Sequence, residues 1–378
     1  MPWDKLIGIK LVVLIWSWYF QPTAIIVPHQ NTVRNIRQMF FNRTAKARPL
    51  TRTVILLSPD HFSPNQESIF FSDRNWTLSN GLLEYADRTG KNITSDFSRS
   101  NRLLTIDHGI YNILPEIKTY FPRARIVPLL VGERVSRKKL DALADRLSAN
   151  CRWDCLVIAS VDFSHYLPHA LADVHDAFSL KALAAPDPDL IMASEADSPN
   201  SLYVTRKFSD LRKADNFLLF AHTNSAEIIG QRDTESTSHI MGWYRRGRRN
   251  NKFDTFTFLM TKNISGARDK PGPGERFFYG TEYVNENLTE TFNLIRGLEI
   301  IPGGKASKVT REANKLTVNL GKDLAVAGID TGEGVRIIFL PLGEISGQTY
   351  LQRGLEKTEY FDRLGIDKTG EIFIHYQM

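Results

Sequence analysis

The sequence predicts an α/β domain on a central, largely parallel or mixed sheet flanked by helices, with a smaller β-rich segment behind it. Three observations lead there. Five short apolar runs, TAIIVPH (23–29), TVILLSP (53–59), RIVPLLVG (125–132), CLVIAS (155–160) and NFLLFAH (216–222), are continuous rather than alternating. Strands buried on both faces of a sheet read this way. Between the runs, apolar residues recur at helical spacing, at Val33, Ile36 and Phe40, at Leu140, Leu143 and Leu147, and from Ala170 to Ala184. Alternating strands and helices build a sheet covered by helices. After Arg249 the pattern changes. DTFTFLMTK alternates, GARDKPGPGERF is rich in glycine and proline, and KLTVNLG, VRIIFLPLG and EIFIHYQ read as strands.

These patterns divide the 378 residues into a hydrophobic N-terminal segment (1–22), an α/β domain (23–250) and a β-rich or α+β appendage (251–378). Leu6 to Phe20, LIGIKLVVLIWSWYF, is apolar except for Lys10, Ser17 and the polar tips of its aromatics. It is shorter than the roughly 20 residues of a membrane span. It suits a signal-peptide core or an N-terminal anchor, and no small-x-small cleavage site precedes Gln21-Pro22. The expectation is a membrane-anchored or exported protein, associating with the membrane through residues 6–20. A buried first helix in a cytoplasmic protein is the alternative. Five Asn-x-Ser/Thr sequons, at Asn42, Asn75, Asn92, Asn263 and Asn287, would be glycosylation acceptors after export in a eukaryote, though chance supplies several in such a chain.

Charge excludes more than it proposes. The formal net charge is +6, and much of the excess sits in RRGRRNNK (Arg245 to Lys252). No aromatic residue interleaves with those arginines, so the run reads as a solvated linker and not a nucleic-acid face. Cys151 and Cys155, separated by RWD, are no zinc signature, and the strand beginning at Cys155 argues against a bridge between them. In the tail, PGGK lacks the spacing of a phosphate loop.

Chemistry gathers at the carboxyl ends of strands in open α/β sheets. Four of the five apolar runs end there in polar residues. The first ends in His29 and the second in Asp60 and His61. The fourth ends in Asp162 and His165, and the fifth in His222, Asn224, Ser225 and Glu227. Asp107 and His108 open a further helical stretch, DHGIYNILPEI. One such histidine is ordinarily a hydrogen-bonded structural residue, and Asp162 alone reads as a helix cap. Four strand ends delivering imidazoles and carboxylates together suit a metal site, because imidazole binds Zn, Cu, Fe and Ni. Left-over His and Asp residues can then act as a general base and its orienter.

VPHQ, ILLSPDHF, DHGIYNILPEI, IVPLLVG and IASVDFSHY, in this order, resemble the Memo family, also called AmmeMemoRadiSam system protein B. The resemblance runs from about residue 23 to about 246 and ends at TESTSHIMGWY. That family is related in fold to the class III extradiol dioxygenases. The resemblance therefore implies an extradiol dioxygenase-like sheet with a pocket for iron or copper at the strands' carboxyl ends. It places His29 and His61 on the family's two metal-binding histidines and His165 on the pocket's acid/base histidine, with Asp162 beside it to fix its tautomer. Asp107-His108 falls on the family's Glu-His pair, and His108 joins the catalytic set. Asn112 stands where the family has a second glutamate. The third ligand departs from the family. Animal Memo proteins supply a cysteine and the dioxygenases a glutamate, but no cysteine follows Cys155 here. Glu227 is the acidic candidate to complete the site with His29 and His61.

The expectation is a Memo-like, iron- or copper-dependent oxidoreductase acting on an organic substrate. A metal-dependent hydrolase using the same His/Asp pocket is one alternative, and a non-catalytic scaffold for a small molecule or peptide is another. The tail's one reactive group in FLPLGEISG is Glu344, so residues 251–378 read as a structural or partner-binding appendage.

Overall fold

The computed structural model describes residues 21–63, 66–167, 169–229 and 236–249, and the strands at 255–259, 308–312, 315–319, 324–330, 335–341 and 372–374. The chain separates into two compact units. One comprises Met1–Asp162, Asn200–His222 and His239–Arg249, and the other Phe163–Pro199, Thr223–Ser238 and Asn250–Met378. Leu6 to Phe20, and with it the expected anchor, lies outside the described residues. Among the described residues no helix is long and apolar enough to cross a membrane.

The elements run β1 (Ala24–Val27), α1 (Arg34–Ala47), β2 (Thr53–Pro59), β3 (Ile69–Phe71), β4 (Trp76–Leu78), β5 (Gly81–Leu83), α2 (Asp87–Thr94) and β6 (Ser98–Arg99). Then come α3 (Asn101–Ile106), α4 (His108–Tyr111), α5 (Leu114–Tyr120), β7 (Arg125–Val131), α6 (Arg137–Asn150), β8 (Cys155–Ser160), β9 (His165–Leu167), α7 (His169–Ala184), α8 (Pro199–Leu211), β10 (Asn216–Asn224), α9 (Ser225–Ile229) and β11 (Ser236–Arg245). All five apolar runs are strands: β1, β2, β7, β8 and β10.

The first unit is built on a mixed sheet in the order β10-β11-β1-β8-β2-β7-β3-β6. Its centre, β1-β8-β2-β7, is parallel, and β11 and β3 add antiparallel neighbours on either side. Every residue of β8 is buried, as is β2 after Thr53, which is why these segments are unbroken apolar runs. Phe40 and Phe41 of helix α1 share one buried core with Ile25, Val54, Ile158, Ile113 and Ile117. Full burial of one such phenylalanine contributes roughly 1.5–3 kcal/mol. On α6, Leu140, Leu143, Ala144 and Leu147 form the buried stripe.

One stretch goes beyond the sequence reading, and one reading needs amendment. Residues 69–99 carry four short strands of two or three residues that the apolar pattern does not announce, and TSHIMGWY lies within the long antiparallel strand β11. Cys151 and Cys155 are joined in a disulfide. Cys151 has already left α6 in an extended conformation, and the chain turns back through Cys155 N–H to Arg152 O at 3.1 Å. The two Cα atoms therefore come within 5.2 Å, inside the bridging range.

The second unit holds two three-stranded antiparallel sheets. One is formed by β12 (Thr255–Leu259), β13 (Lys308–Glu312) and β14 (Lys315–Asn319). The other is formed by β15 (Leu324–Asp330), β16 (Val335–Pro341) and β17 (Ile372–Ile374). In this unit β9 pairs with the first residues of β11, and the buried Asp176 accepts hydrogen bonds from Ser164 Oγ at 3.0 Å and Ser238 Oγ at 2.8 Å.

Candidate metal centre

Strands β1, β8 and β2 are parallel neighbours whose registers align Val27 with Ser160 and Leu57 with Ala159. Their carboxyl ends therefore stop at one level, about 4.8 Å apart from strand to strand. Just beyond lie His29, Asp162, Asp60 and His61. Once these three strands pair in register, the donors converge.

His61 is oriented by Asp107. Its ring Nδ1 lies 3.0 and 3.1 Å from the two carboxylate oxygens, and its backbone N–H donates to Oδ2 at 3.1 Å. A carboxylate only accepts, so Nδ1 carries the proton and the Nε2 lone pair is left for a ligand. Asp107 also caps α4, accepting Gly109 N–H at 2.9 Å. One buried carboxylate thus fixes both His61 and the helix that begins at His108.

His29 is buried, and Asp162 accepts its backbone N–H at 3.1 Å. The second Asp162 oxygen lies 3.2 Å from His29 Nε2. On the other side of the ring, Ser160 Oγ stands 3.4 Å from Nδ1 while donating its own proton to Gly109 O at 2.7 Å. Ser160 can therefore only accept from His29. A proton on Nδ1 leaves an Nε2 lone pair facing a carboxylate oxygen, a contact that a cation between them turns from repulsive to favourable. A proton on Nε2 makes the same contact an ordinary hydrogen bond.

His108 completes the group. Ring centroids lie 4.9 Å apart for His29–His61 and for His29–His108, and 3.8 Å for His61–His108. One ligand atom from each of the three imidazoles lies within 4.8 Å of the others, which is close enough to hold one metal ion. His61 and His108 are partly exposed, so the cluster is reached from solvent. Two buried polar atoms nearby lack a partner, Ser58 Oγ and Asp60 Oδ2, although Asp60 Oδ1 accepts from Phe62 and Ser63 N–H. Gly109 is required here, since a Cβ would stand 2.0 Å from Ser58 Oγ and 3.2 Å from a His61 ring carbon.

Several supports have no signal in the local sequence. Arg37 of α1, fully buried, donates Nη1 to Pro28 O and Gln30 O at 3.0 Å, bracketing His29. Its Nε and Nη2 form a forked pair with Glu116 at 2.6 and 3.0 Å. Asn112 donates to His29 O at 3.0 Å, which gives the residue at the family's second-glutamate position a part in holding His29. His239 Nε2 lies 2.5 Å from Gln30 Oε1. In the sequence Glu116 lies 79 residues from Arg37 and Asn112 lies 83 from His29, and charged residues on a surface-patterned helix read as solvated.

The other expected site residues belong to the second unit. His165 opens β9, paired with Thr237, and Glu227 lies partly exposed in the short helix α9.

A model of the family described as Memo-like protein matches residues 13–240, more than half of the chain. The chain belongs to the Memo-like family. Curated relatives include three MEMO1 family proteins. That of Caldivirga maquilingensis is 23% identical over 131 residues, covering 33% of this chain and 46% of the relative. Those of Thermoplasma volcanium and Pyrobaculum arsenaticum are each 26% identical, over 153 and 144 residues. Those alignments cover 39% and 35% of this chain and 55% and 50% of the relatives. The chain thus spans about half the length of the curated relatives it matches. Among solved structures, an uncharacterized protein, JW3007, from Escherichia coli K12 aligns at 11% identity and a TM-score of 0.39, covering 57% of this chain and 98% of that one. For this Memo-like protein, the matched region contains His29, His61, Asp107, His108 and Asp162.

Proposed function

We propose that this Memo-like protein binds a transition-metal ion, iron or copper, through His29, His61 and His108, with Asp162 beside it, and works as an oxidoreductase on an organic substrate. The convergence of three imidazole ligand atoms within 4.8 Å carries the reading. Neutral nitrogen donors suit iron, copper and zinc. The oriented Nε2 of His61 and the His29–Asp162 contact fit a cation, as do the unpartnered Ser58 and Asp60 atoms alongside. When bound, such an ion supplies redox and Lewis-acid chemistry. The chain's own residues do the rest. Asp107 holds the His61 tautomer, and Ser160 and Asp162 orient His29. Arg37 and Asn112 fix the turn that carries His29.

This assignment puts His108 in the third place, where the sequence offered Glu227. The test is elemental analysis of protein purified without chelator. The wild type should hold stoichiometric iron or copper, and His108→Ala should retain less than about a tenth of it, as loss of one of few ligands predicts. Glu227→Ala should keep its metal. Metal loss on Glu227→Ala, with retention on His108→Ala, would overturn the ligand set. Stoichiometric zinc with ester cleavage would replace the oxidoreductase reading by the hydrolase one.

A further inference from the structure

The sheet of the first unit ends in two edges, and they are built differently. At one end stands β6, two exposed residues long, with Arg99 paired to Asp73 at 2.9 Å. Short edges that carry charge keep other chains from adding a strand. At the other end stands β10, nine residues long, whose sequence NFLLFAHTN contains no Lys, Arg, Asp, Glu or Pro. Among the described residues its only strand neighbour is β11. The devices that blunt β6 are missing from β10.

Leu218 to Thr223 are all partly exposed, without the alternation of a strand that has one solvated face. The opening therefore runs along the edge. Part of the face is already covered, since Phe220 packs on Phe40 of α1 with ring centroids 4.8 Å apart, and the Arg43 guanidinium lies over Phe220 and Trp243. Gly242 of β11 reports the backbone direction. A Cβ there would stand 2.8 Å from Leu218 O, so Leu218 turns its carbonyl towards β11. Backbone groups alternate sides along a strand, and Leu219 and Ala221 thus turn theirs outward.

An open edge accepts another strand, and the residues of this one indicate which. Two copies related by a two-fold axis meet antiparallel, so the strand faces its own reverse. With the axis at Phe220, Leu218 stands opposite His222, Leu219 opposite Ala221, and Phe220 opposite its counterpart. Leu219 and Ala221 are the outward residues, and in this register they exchange both N–H···O=C bonds, twice over by symmetry. The apolar run 217–221 then sits at the centre, between Asn216 and the polar residues 222–224. A charged strand would meet its own charges across such an axis, and β10 has none. Nor does it hold a charge that would select a foreign strand. We propose that β10 is a self-association edge, pairing antiparallel with β10 of a second copy of this chain so that one sheet runs through both.

Sedimentation velocity of the full-length protein over a concentration series tests this. A reversible monomer–dimer equilibrium is expected. Ala221→Pro removes one outward N–H from each copy and spares the bonds to β11. It should weaken dimerisation at least about tenfold, the scale of two lost backbone hydrogen bonds. Ser98→Lys, on the opposite edge, should leave it within twofold. Leu219→Glu should also weaken it, and adding Ala221→Lys should restore it, because the register sets position 219 of each copy against position 221 of the other. A monomer at every concentration overturns the proposal, as does a dimer that Ala221→Pro leaves unchanged or a double variant that fails to recover. Hydrogen exchange separates a second copy from a segment of the same chain lying on the edge. Protection of the Leu219 and Ala221 amides should rise with protein concentration, and protection independent of concentration overturns the proposal. Far-UV circular dichroism checks that the variants fold. If Ala221→Pro does not, Leu219→Glu and its rescue decide. Strand β10 lies two strands from β1, and the test reads mass and not metal, so failure here is distinguishable from failure of the metal reading.

Discussion

Helix α1 begins beside one buried arginine and ends beside another, and the two are treated differently. Arg37, at the histidine-cluster end of the sheet, forks onto the Glu116 carboxylate while bracing Pro28 and Gln30. Arg48, at the other end, is nearly as buried but donates only to carbonyls and a hydroxyl. The first charge is answered within the fold, and its role is to hold a turn still. The second is held by neutral acceptors, and burial lowers its pKa to about 10, with Asp154 opposing and Arg212 reinforcing the shift. The lesson is that two buried guanidiniums can be satisfied in different ways. One is matched by a carboxylate, and the other is held by neutral acceptors and keeps more of its desolvation cost.

The largest way to test that contrast is to remove each guanidinium. Arg37→Met strands the Glu116 carboxylate and should cost about 3–5 kcal/mol in chemical denaturation. Adding Glu116→Leu should recover most of it, leaving the loss at Pro28 and Gln30. Arg48→Met strands only neutral acceptors and relieves a buried charge, so its cost should be smaller. A larger cost for Arg48→Met would break the comparison.

Next in size is Asp107→Asn, which keeps shape but removes the charge that holds the His61 tautomer. Metal affinity in a competitive chelator titration should fall about 10–100-fold, with a modest fall in stability from the weakened α4 cap. Unchanged affinity would mean that Asp107 serves only the helix.

The smallest effect belongs to an exposed pair, Asp96 with Arg146. The Arg146 hydrogen bond, helped by Ser95, holds the Asp96 carboxyl at about 2, below the ordinary 3.8. The folded value lies below the unfolded one, so the stabilisation is complete above roughly pH 4 and disappears as pH falls through 2. Thermal melts of wild type and Arg146→Gln should differ slightly at pH 5 and converge near pH 2. A difference that persists at the lower pH would trace the effect to packing, since Arg146 also lies over the Phe97 ring.

Much of the first unit was legible in the sequence because its central strands are buried on both faces. Such burial writes itself as unbroken apolar runs, and the polar residues after β1, β2 and β8 marked the site. What was not legible depends on pairing across the chain. Strands β3 to β6 are too short to carry a period, and the order of the sheet follows crossovers that composition does not encode. The family resemblance puts His108 in the catalytic set, but its place beside His29 and His61 depends on the Asp107 cap at the start of α4, which local sequence does not encode. Arg37 and Glu116 look like solvent-facing charges because each is judged within its own helix, where the partner is absent. Conversely the disulfide was missed because spacing was read as pure helix or strand, whereas a turn at Arg152–Asp154 joins the two.

Gly109 has a practical meaning for anyone redesigning the pocket. With Ser58 Oγ standing 2.0 Å from where a methyl carbon would go, position 109 admits no larger residue without moving the floor itself. Substitutions meant to vary the surroundings of the histidine cluster should leave it constant. Diversity belongs at exposed neighbours such as Phe62 and Tyr111, where new side chains meet solvent rather than the frame that aligns the histidines.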